Sequence, residues 1–249
     1  MTRWALVAGA SEGIGAAFAR ELAASGHDLV LIARRPEPLD ALAVELRATG
    51  RKVETLVLDL GGELEPALHA IEHPIDVVVW NAALSLIGPF LETSLEDHQR
   101  MLALNTRGPL TAARIFGAAM AERGRGTIIL LSSLTAFWGT AYLATYGATK
   151  AFNLALAEAL AAELGPAGVD VLACCAGATS TPGFTALVAG RKGPKSMTPA
   201  AVARATLRKA RRGAFVPGAF NKLAQWLMAR LLPRRLAVKI MAGQTKALL

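Results

Sequence analysis

Trp4-Ala-Leu-Val-Ala8 runs directly into Gly9-Ala-Ser-Glu-Gly13-Ile-Gly15, and a helix-forming stretch follows, Ile14–Ser25. Five consecutive apolar residues bounded by a glycine turn predict a strand buried on both faces of a parallel sheet. The glycines permit a sharp turn and a close backbone approach, and the helix behind them presents free amides and its positive end. A turn of this kind after a first strand predicts a pocket for the pyrophosphate of a dinucleotide, with Gly9, Ser11, Gly13, Ile14 and Gly15 around it.

The alternation continues along the chain. Strands are predicted at Asp28–Ala33, Lys52–Leu58, Ile75–Trp80, Thr127–Leu131 and Val169–Ala173. Helices are predicted at Pro36–Thr49, near Pro66–Ile71, in one long piece from about Glu96 to Arg123, and at Thr145–Leu164. The pattern loosens after Gly177. Residues 183–198 read as a substrate lid, Thr198–Arg212 as a helix opened by Thr198-Pro199, and Ala214–Val216 as a short last strand. The fold class is therefore α/β, a doubly wound parallel sheet flanked by helices, in one domain over 1–249.

Residues 218–249 read as basic amphipathic helices. Phe220, Leu223, Ala224, Leu227, Met228 and Leu231 recur at helical spacing, with Asn221, Lys222, Gln225 and Arg230 opposite. The stripe is expected to pack on the domain or on a partner subunit. Peripheral membrane contact, supported by Trp226, Arg230, Arg234 and Arg235, is the less favoured alternative.

With 53% hydrophobic and 18% charged residues over 249 positions, the chain can bury an ample core, which excludes a disordered class. No apolar run reaches the ~18 residues of a membrane-spanning helix. Arg3 and the apolar run after it imitate a short secretion signal, but cleavage there would delete a strand and cut the glycine turn, so a cytoplasmic protein is expected. Cys174 and Cys175, adjacent in the apolar run Val171–Ala176, read as reduced core residues. The histidines at 27, 69, 73 and 98 are scattered and no Cys, His or carboxylate spacing suits a metal, so none is expected. Beyond Asp170 the chain has fourteen Lys and Arg and no Asp or Glu. That one-signed field steers anions. Few aromatics interleave with the cations and no nucleic-acid motif is present, so no nucleic-acid partner is expected.

Two further patterns carry chemistry. Tyr146 and Lys150 stand four apart in a predicted helix, so they share a face, and a nearby ammonium lowers a phenol's pKa toward the working range of an acid–base catalyst. Arg34 and Arg35 follow the second strand, where a carboxylate would bind the ribose hydroxyls of NAD and an arginine pairs with the 2′-phosphate of NADP. They favour NADP(H). Glu12, an acid beside the same pocket, argues the other way and leaves NAD(H) open.

In the order and spacing of these motifs the chain to about residue 216 resembles the short-chain dehydrogenase/reductase family, in its single-domain branch of about 250 residues. The matching residues are the Gly9–Gly15 turn, Asp59-Leu60, Asn81-Ala82-Ala83, Asn105, Ser133, Tyr146-x-x-x-Lys150 and Gly177-x-x-x-Thr181. The resemblance implies a Rossmann-like fold and an oxidoreductase in which Tyr146 exchanges a proton with the substrate oxygen. It also implies that Lys150 tunes Tyr146 and holds the nicotinamide ribose, that Ser133 hydrogen-bonds the substrate oxygen, and that Asn105 positions a relay water. Asp59 and Leu60 would contact the adenine, Asn81 and Ala82 would lie beside the cofactor, and Gly177, Thr179 and Thr181 would flank its nicotinamide end. Three departures are visible, the first two in scaffold positions that support the central sheet and the third at the loop entering the substrate lid. Ala8 replaces a usual Thr, Ala83 the last Gly of Asn-Ala-Gly, and Ala176 the Pro before Gly177.

Leu134, Phe137, Trp138, Tyr142, Phe184, Leu187 and Val188 make the expected substrate neighbourhood apolar, with Ser133, Leu134, Tyr142, Tyr146 and Phe184 as contacts. The expected reaction is NADP(H)-dependent interconversion of a hydrophobic ketone and a secondary alcohol, on a 3-oxoacyl thioester, a steroid or another lipophilic carbonyl, free or carrier-linked. The alternative is a non-catalytic, nucleotide-binding regulatory protein. The resemblance further implies a homodimer or homotetramer built on the helices near 96–123 and 145–164.

Overall fold

Seven strands form one sheet in a computed structural model that describes residues 3–189, 194–209 and 213–249. They are β1 (Arg3–Ala8), β2 (His27–Ala33), β3 (Val53–Val57), β4 (Ile75–Trp80), β5 (Gly126–Ser133), β6 (Val169–Ala176) and β7 (Gly213–Phe215). Every pairing is parallel and the order is β3-β2-β1-β4-β5-β6-β7. The direction of winding reverses between β1 and β4, and that reversal opens a crevice at the carboxyl ends of those strands.

Successive strand residues feed opposite faces. Leu6, Val30, Val78, Ile128 and Leu130 enter one core, while Val7, Leu29, Leu31, Val79 and Ile129 enter the other. The first core is covered by α5 (Gly108–Arg123) and α6 (Ala144–Leu164) through Phe116, Met120 and Leu154. The second is covered by α1 (Gly13–Ala24), α2 (Pro36–Arg47) and α8 (Pro199–Arg208) through Phe18, Leu22, Leu39, Leu42 and Val202. Local chemistry sets several boundaries. Pro36 opens α2, the Thr198 hydroxyl accepts the Ala201 amide at the start of α8, and Gly124 at φ 69 closes α5 in the left-handed conformation.

The long helix expected from about Glu96 to Arg123 is three pieces. The helix α4 (Leu95–Leu102), whose N-cap is Ser94, gives way to a π turn at Ala103–Arg107, and then α5 begins. Gly108 permits the junction, because a Cβ there would lie 2.7 Å from the Trp80 ring. The strands β5 and β6 run further than their apolar cores suggest. Ser132 and Ser133 are poor strand formers, yet they pair in register with Cys175 and Ala176. Of the expected lid, 183–198, residues 190–193 lie outside the described residues, and α7 (Pro182–Leu187) forms its first part. The helix expected over Thr198–Arg212 ends at Arg208, with 210–212 outside the described residues.

The C-terminal segment holds α9 (Ala219–Leu231) and α10 (Arg234–Lys246), separated at Leu232-Pro233. Of the apolar stripe of α9, expected to pack on the domain or on a partner subunit, the domain takes up only Ala224 and Met228, partly buried beside Asn221 and Gln225; Phe220, Leu223, Trp226, Leu227 and Leu231 are exposed. No helix among the described residues is long and apolar enough to cross a membrane.

Cys174 and Cys175 are buried free thiols, and burial pushes each up to about 12. At pH 8 a thiol at that value is about one part in 10⁴ thiolate. The native protein is therefore expected to resist iodoacetamide at pH 8 and to take two labels once denatured. Labelling of either cysteine within minutes in the native state would contradict this burial.

Candidate active site

The glycine turn is shaped by contacts that leave no space for side chains. Gly9 and Gly13 lie at φ 75 and 59, in the left-handed region. A Cβ on Gly9 would stand 2.7 Å from the Ala82 backbone, and one on Gly13 would stand 3.0 Å from the Thr181 methyl. A Cβ on Gly15 would collide with the Gly9 carbonyl oxygen and lie 2.7 Å from Asn81 Nδ2. Asn81 Nδ2 donates to that same oxygen at 2.9 Å, and the amides of Asn81 and Ala82 both donate to the Ala8 carbonyl at 3.0 Å. Asn81 thus braces the turn as well as lining the crevice. Glu12, the N-cap residue of α1, makes no side-chain capping bond, so the first-turn amides of α1 keep their capacity for an anion.

From this turn a trough of ≈ 370 Å³ extends past Arg34 and Arg35 to Asp59, Leu60 and Gly61, with Arg100 on its rim. Arg35 pairs with Glu12 at 2.8 Å. That contact neutralises the acid that argued against a 2′-phosphate and leaves Arg34 as the less committed guanidinium. Asp59 accepts the Gly61 amide at 3.1 Å, which shapes the turn beneath the far end. Glycines that hold the floor open, a helix N-terminus and an arginine at the distal end fit a phosphorylated dinucleotide.

The trough continues into a cavity of ≈ 680 Å³, and Ile14, Asn81, Ala83, Thr181 and Gly183 line both. Ser133, Tyr146, Lys150, Gly177, Thr179, Thr181 and Phe184 line this cavity. β5 delivers Ser133 at its last residue, and α6 carries Tyr146 and Lys150 one turn apart on the face toward it. Ser133 hydrogen-bonds Tyr146, while burial dominates and pushes the phenol up to about 12. Lys150 lies 5.5 Å from the Tyr146 ring centroid and donates from Nζ to the Leu131 carbonyl at 2.8 Å. Burial pulls its ammonium down to about 8. The expected lowering of the Tyr146 pKa by Lys150 is therefore not found, because desolvation prevails and the ammonium is aimed at a backbone carbonyl.

Asn105 sits in the π turn and is 1% exposed, behind the cavity wall. Its Nδ2 donates to the Leu84 carbonyl and to Thr149 Oγ1, and its Oδ1 accepts the Leu84 amide. Thr149 in turn donates to the Tyr146 carbonyl at 2.7 Å. Both amide hydrogens of Asn105 are committed to fastening the loop after β4 to α6, so its side chain positions Tyr146 through the backbone.

Of the expected cofactor residues, Gly9, Ser11, Gly13, Ile14, Arg34, Arg35, Asp59, Leu60, Asn81 and Ala82 line the trough. Gly15 lies buried behind it. Leu134 and Tyr142, expected at the substrate, are not among the residues lining the cavity. Tyr142 instead turns the chain ahead of α6, at φ 64, with its carbonyl accepting the Gly88 amide. Sequence reasoning missed Leu86 and Ile87 after β4, Leu248 at the far end of the chain, and Arg100. The loop residues follow an expected strand and could have been proposed from that position. Leu248 gives no signal in sequence.

A family model for short chain dehydrogenases matches residues 3–192. A very-long-chain 3-oxoacyl-CoA reductase of Neurospora crassa is 34% identical over 177 residues, 68% of this chain and 53% of that protein. The chain thus spans about half the length of that curated relative. A solved structure concerned with 7beta-hydroxysteroid dehydrogenase stereoselectivity superposes with a TM-score of 0.88 at 28% identity, covering 96% of both chains. A short-chain dehydrogenase from Sphingobium yanoikuyae in complex with NADPH superposes at 0.79 with 32% identity, over 92% of this chain and 96% of that one.

The collision at Gly15 sets a testable expectation. Gly15→Ala forces a methyl group against the Gly9 backbone and should cost roughly 2–3 kcal/mol, lowering the melting temperature by roughly 5–10 °C and abolishing NADPH binding by fluorescence titration. A wild-type melting temperature with intact binding would show that the turn is not held as described.

Proposed function

The chain belongs to the short-chain dehydrogenase/reductase family, and from that premise we propose that it is an NADP(H)-dependent oxidoreductase interconverting a lipophilic ketone and a secondary alcohol. The observation that carries this reading is the convergence of Ser133, Tyr146 and Lys150 on a cavity continuous with a glycine-floored trough. NADPH bound along the trough supplies the hydride. Gly9, Gly13 and the start of α1 would hold its pyrophosphate, Arg34 its 2′-phosphate, and Thr179 and Thr181 its nicotinamide end.

The chain's own residues handle the proton. Ser133 and Tyr146 both line the cavity, and their two hydroxyls can each turn to donate to a carbonyl oxygen and stabilise the charge that develops there. Tyr146 then passes its phenolic proton to the alkoxide. Burial keeps that phenol protonated at neutral pH, so the proton is in place when the alkoxide forms. Lys150 is held by the Leu131 carbonyl and by the hydrogen bond from Ser132 Oγ to its own carbonyl, which fixes its ammonium beside the phenol. The amide hydrogens of Asn105 are committed, so a relay water at this residue would donate to one of its carbonyl oxygens.

Leu86, Ile87, Leu143, Phe184, Leu187 and Leu248 give the cavity an apolar lining, and its ≈ 680 Å³ suits a bulky substrate such as a steroid or a 3-oxoacyl chain. The relatives named for 3-oxoacyl-CoA reduction and 7beta-hydroxysteroid chemistry support the same classes. Leu110, Phe152, Ala155 and Ala159 are exposed on α5 and α6 and supply the face for a homo-oligomer.

Three substitutions test the assignment. Tyr146→Phe should lower kcat by about 10²–10⁴-fold while leaving NADPH affinity nearly unchanged, and retained turnover would overturn the proton-donor role. Arg34→Ala should weaken NADPH about 10–100-fold with little effect on NADH, whereas Arg35→Ala, already paired with Glu12, should do much less. Equal effects of the two on NADPH would contradict the division of labour.

A further inference from the structure

The apolar face of α9 points away from the protein. Phe220 is 68%, Leu223 55%, Trp226 52% and Leu231 66% exposed. The inner side carries only Asn221, Ala224, Gln225 and Met228, each partly buried, so the large aliphatic and aromatic side chains of the helix are left outside. Asn221 donates to the Pro217 carbonyl at 3.1 Å and fills the space above Gly177, where a Cβ would lie 2.6 Å from its Nδ2. A surface helix normally faces the other way, and large apolar side chains gathered on a surface mark a face that another body covers. The helix that follows, α10, exposes Leu236 and Ile240 as well.

Charge decides what that body is. The two helices carry Lys222, Arg230, Arg234, Arg235, Lys239 and Lys246 and neither Asp nor Glu. A symmetric contact with a second copy sets this patch against itself, cation against cation. An anionic surface with an apolar interior satisfies both features at once. Trp, Phe and Leu beside Lys and Arg are the composition of a helix lying in the bilayer interface. We propose that α9 and α10 seat this protein on the surface of an anionic phospholipid bilayer. The apolar side chains enter the boundary between headgroups and acyl chains, and the cations engage lipid phosphates. The contact is peripheral, without a spanning helix. Leu248, just beyond α10, lines the larger cavity, so the docking element and the cavity meet in one segment of chain.

The test uses the full chain in cosedimentation with vesicles of phosphatidylcholine alone and of phosphatidylcholine with phosphatidylserine. Binding to the phosphatidylserine vesicles is expected to be at least about tenfold tighter, and to weaken as salt is raised. Leu223→Gln with Leu231→Gln, and separately Arg230→Glu with Arg235→Glu, should each reduce that binding about tenfold or more; Arg234 is left in place because it donates to the Phe137 carbonyl. Circular dichroism checks that these outward-facing variants fold, and the wild-type dependence on lipid and salt stands without them. Absence of binding, or equal binding to both vesicles, would overturn the proposal. So would a dimer in sedimentation velocity that Leu223→Gln with Leu231→Gln dissociates, which would assign the face to a second copy.

Discussion

The carbonyl oxygen of Gly9 is the point on which the rest of the crevice depends. It accepts from Asn81 Nδ2, and it lies so close to Gly15 that a methyl group there would strike it. One atom thereby fixes the end of β1, the entry of α1 and the loop after β4. The second core then holds these elements from below, with Val7, Phe18 and Val79 in the same cluster. A parallel sheet whose winding reverses between β1 and β4 would open a crevice in any case. The Gly9 contact narrows that crevice to a trough with amides at its floor.

The second constraint is desolvation at the end of β5. Tyr146 is moved upward and Lys150 downward, both by burial and both toward their neutral forms. Neutral forms are what a dry cavity favours. Such a site keeps a proton on the phenol until charge appears on a neighbouring oxygen. Ser132, Leu131, Thr149 and Asn105 hold the two side chains in place through backbone contacts, so the centre needs no mobile partner to stay assembled.

What could be read in the sequence follows from where local signals are strong. Ile75–Trp80 matched the structure at both ends because an apolar run is bounded by Pro74 and Asn81. The glycine turn was legible because positive φ and close approach both demand glycine. The π turn at Ala103–Arg107 was not, since Leu-Asn-Thr-Arg suits an ordinary helix and only the buried bonds of Asn105 reveal the change. The pKa of Tyr146 was misjudged because spacing shows a neighbour but not the depth of burial. The face of α9 that meets the domain is not legible for a related reason. Periodicity gives two faces, and only tertiary contacts decide which one turns inward. Leu248 reached the cavity from more than sixty residues beyond the last site motif, a distance that no local pattern spans.

The central claim is direct hydride delivery to a carbonyl carbon in the cavity above Ser133 and Tyr146. Mass spectrometry of the alcohol formed from a bulky lipophilic ketone and NADPH carrying deuterium at the nicotinamide C4 tests it most directly. One of the two C4-deuterated epimers is expected to place deuterium on the carbinol carbon, with the new hydroxyl hydrogen drawn from solvent. Alcohol formed without deuterium from either epimer, or NADPH binding with no turnover across steroid and 3-oxoacyl ketones, would contradict it.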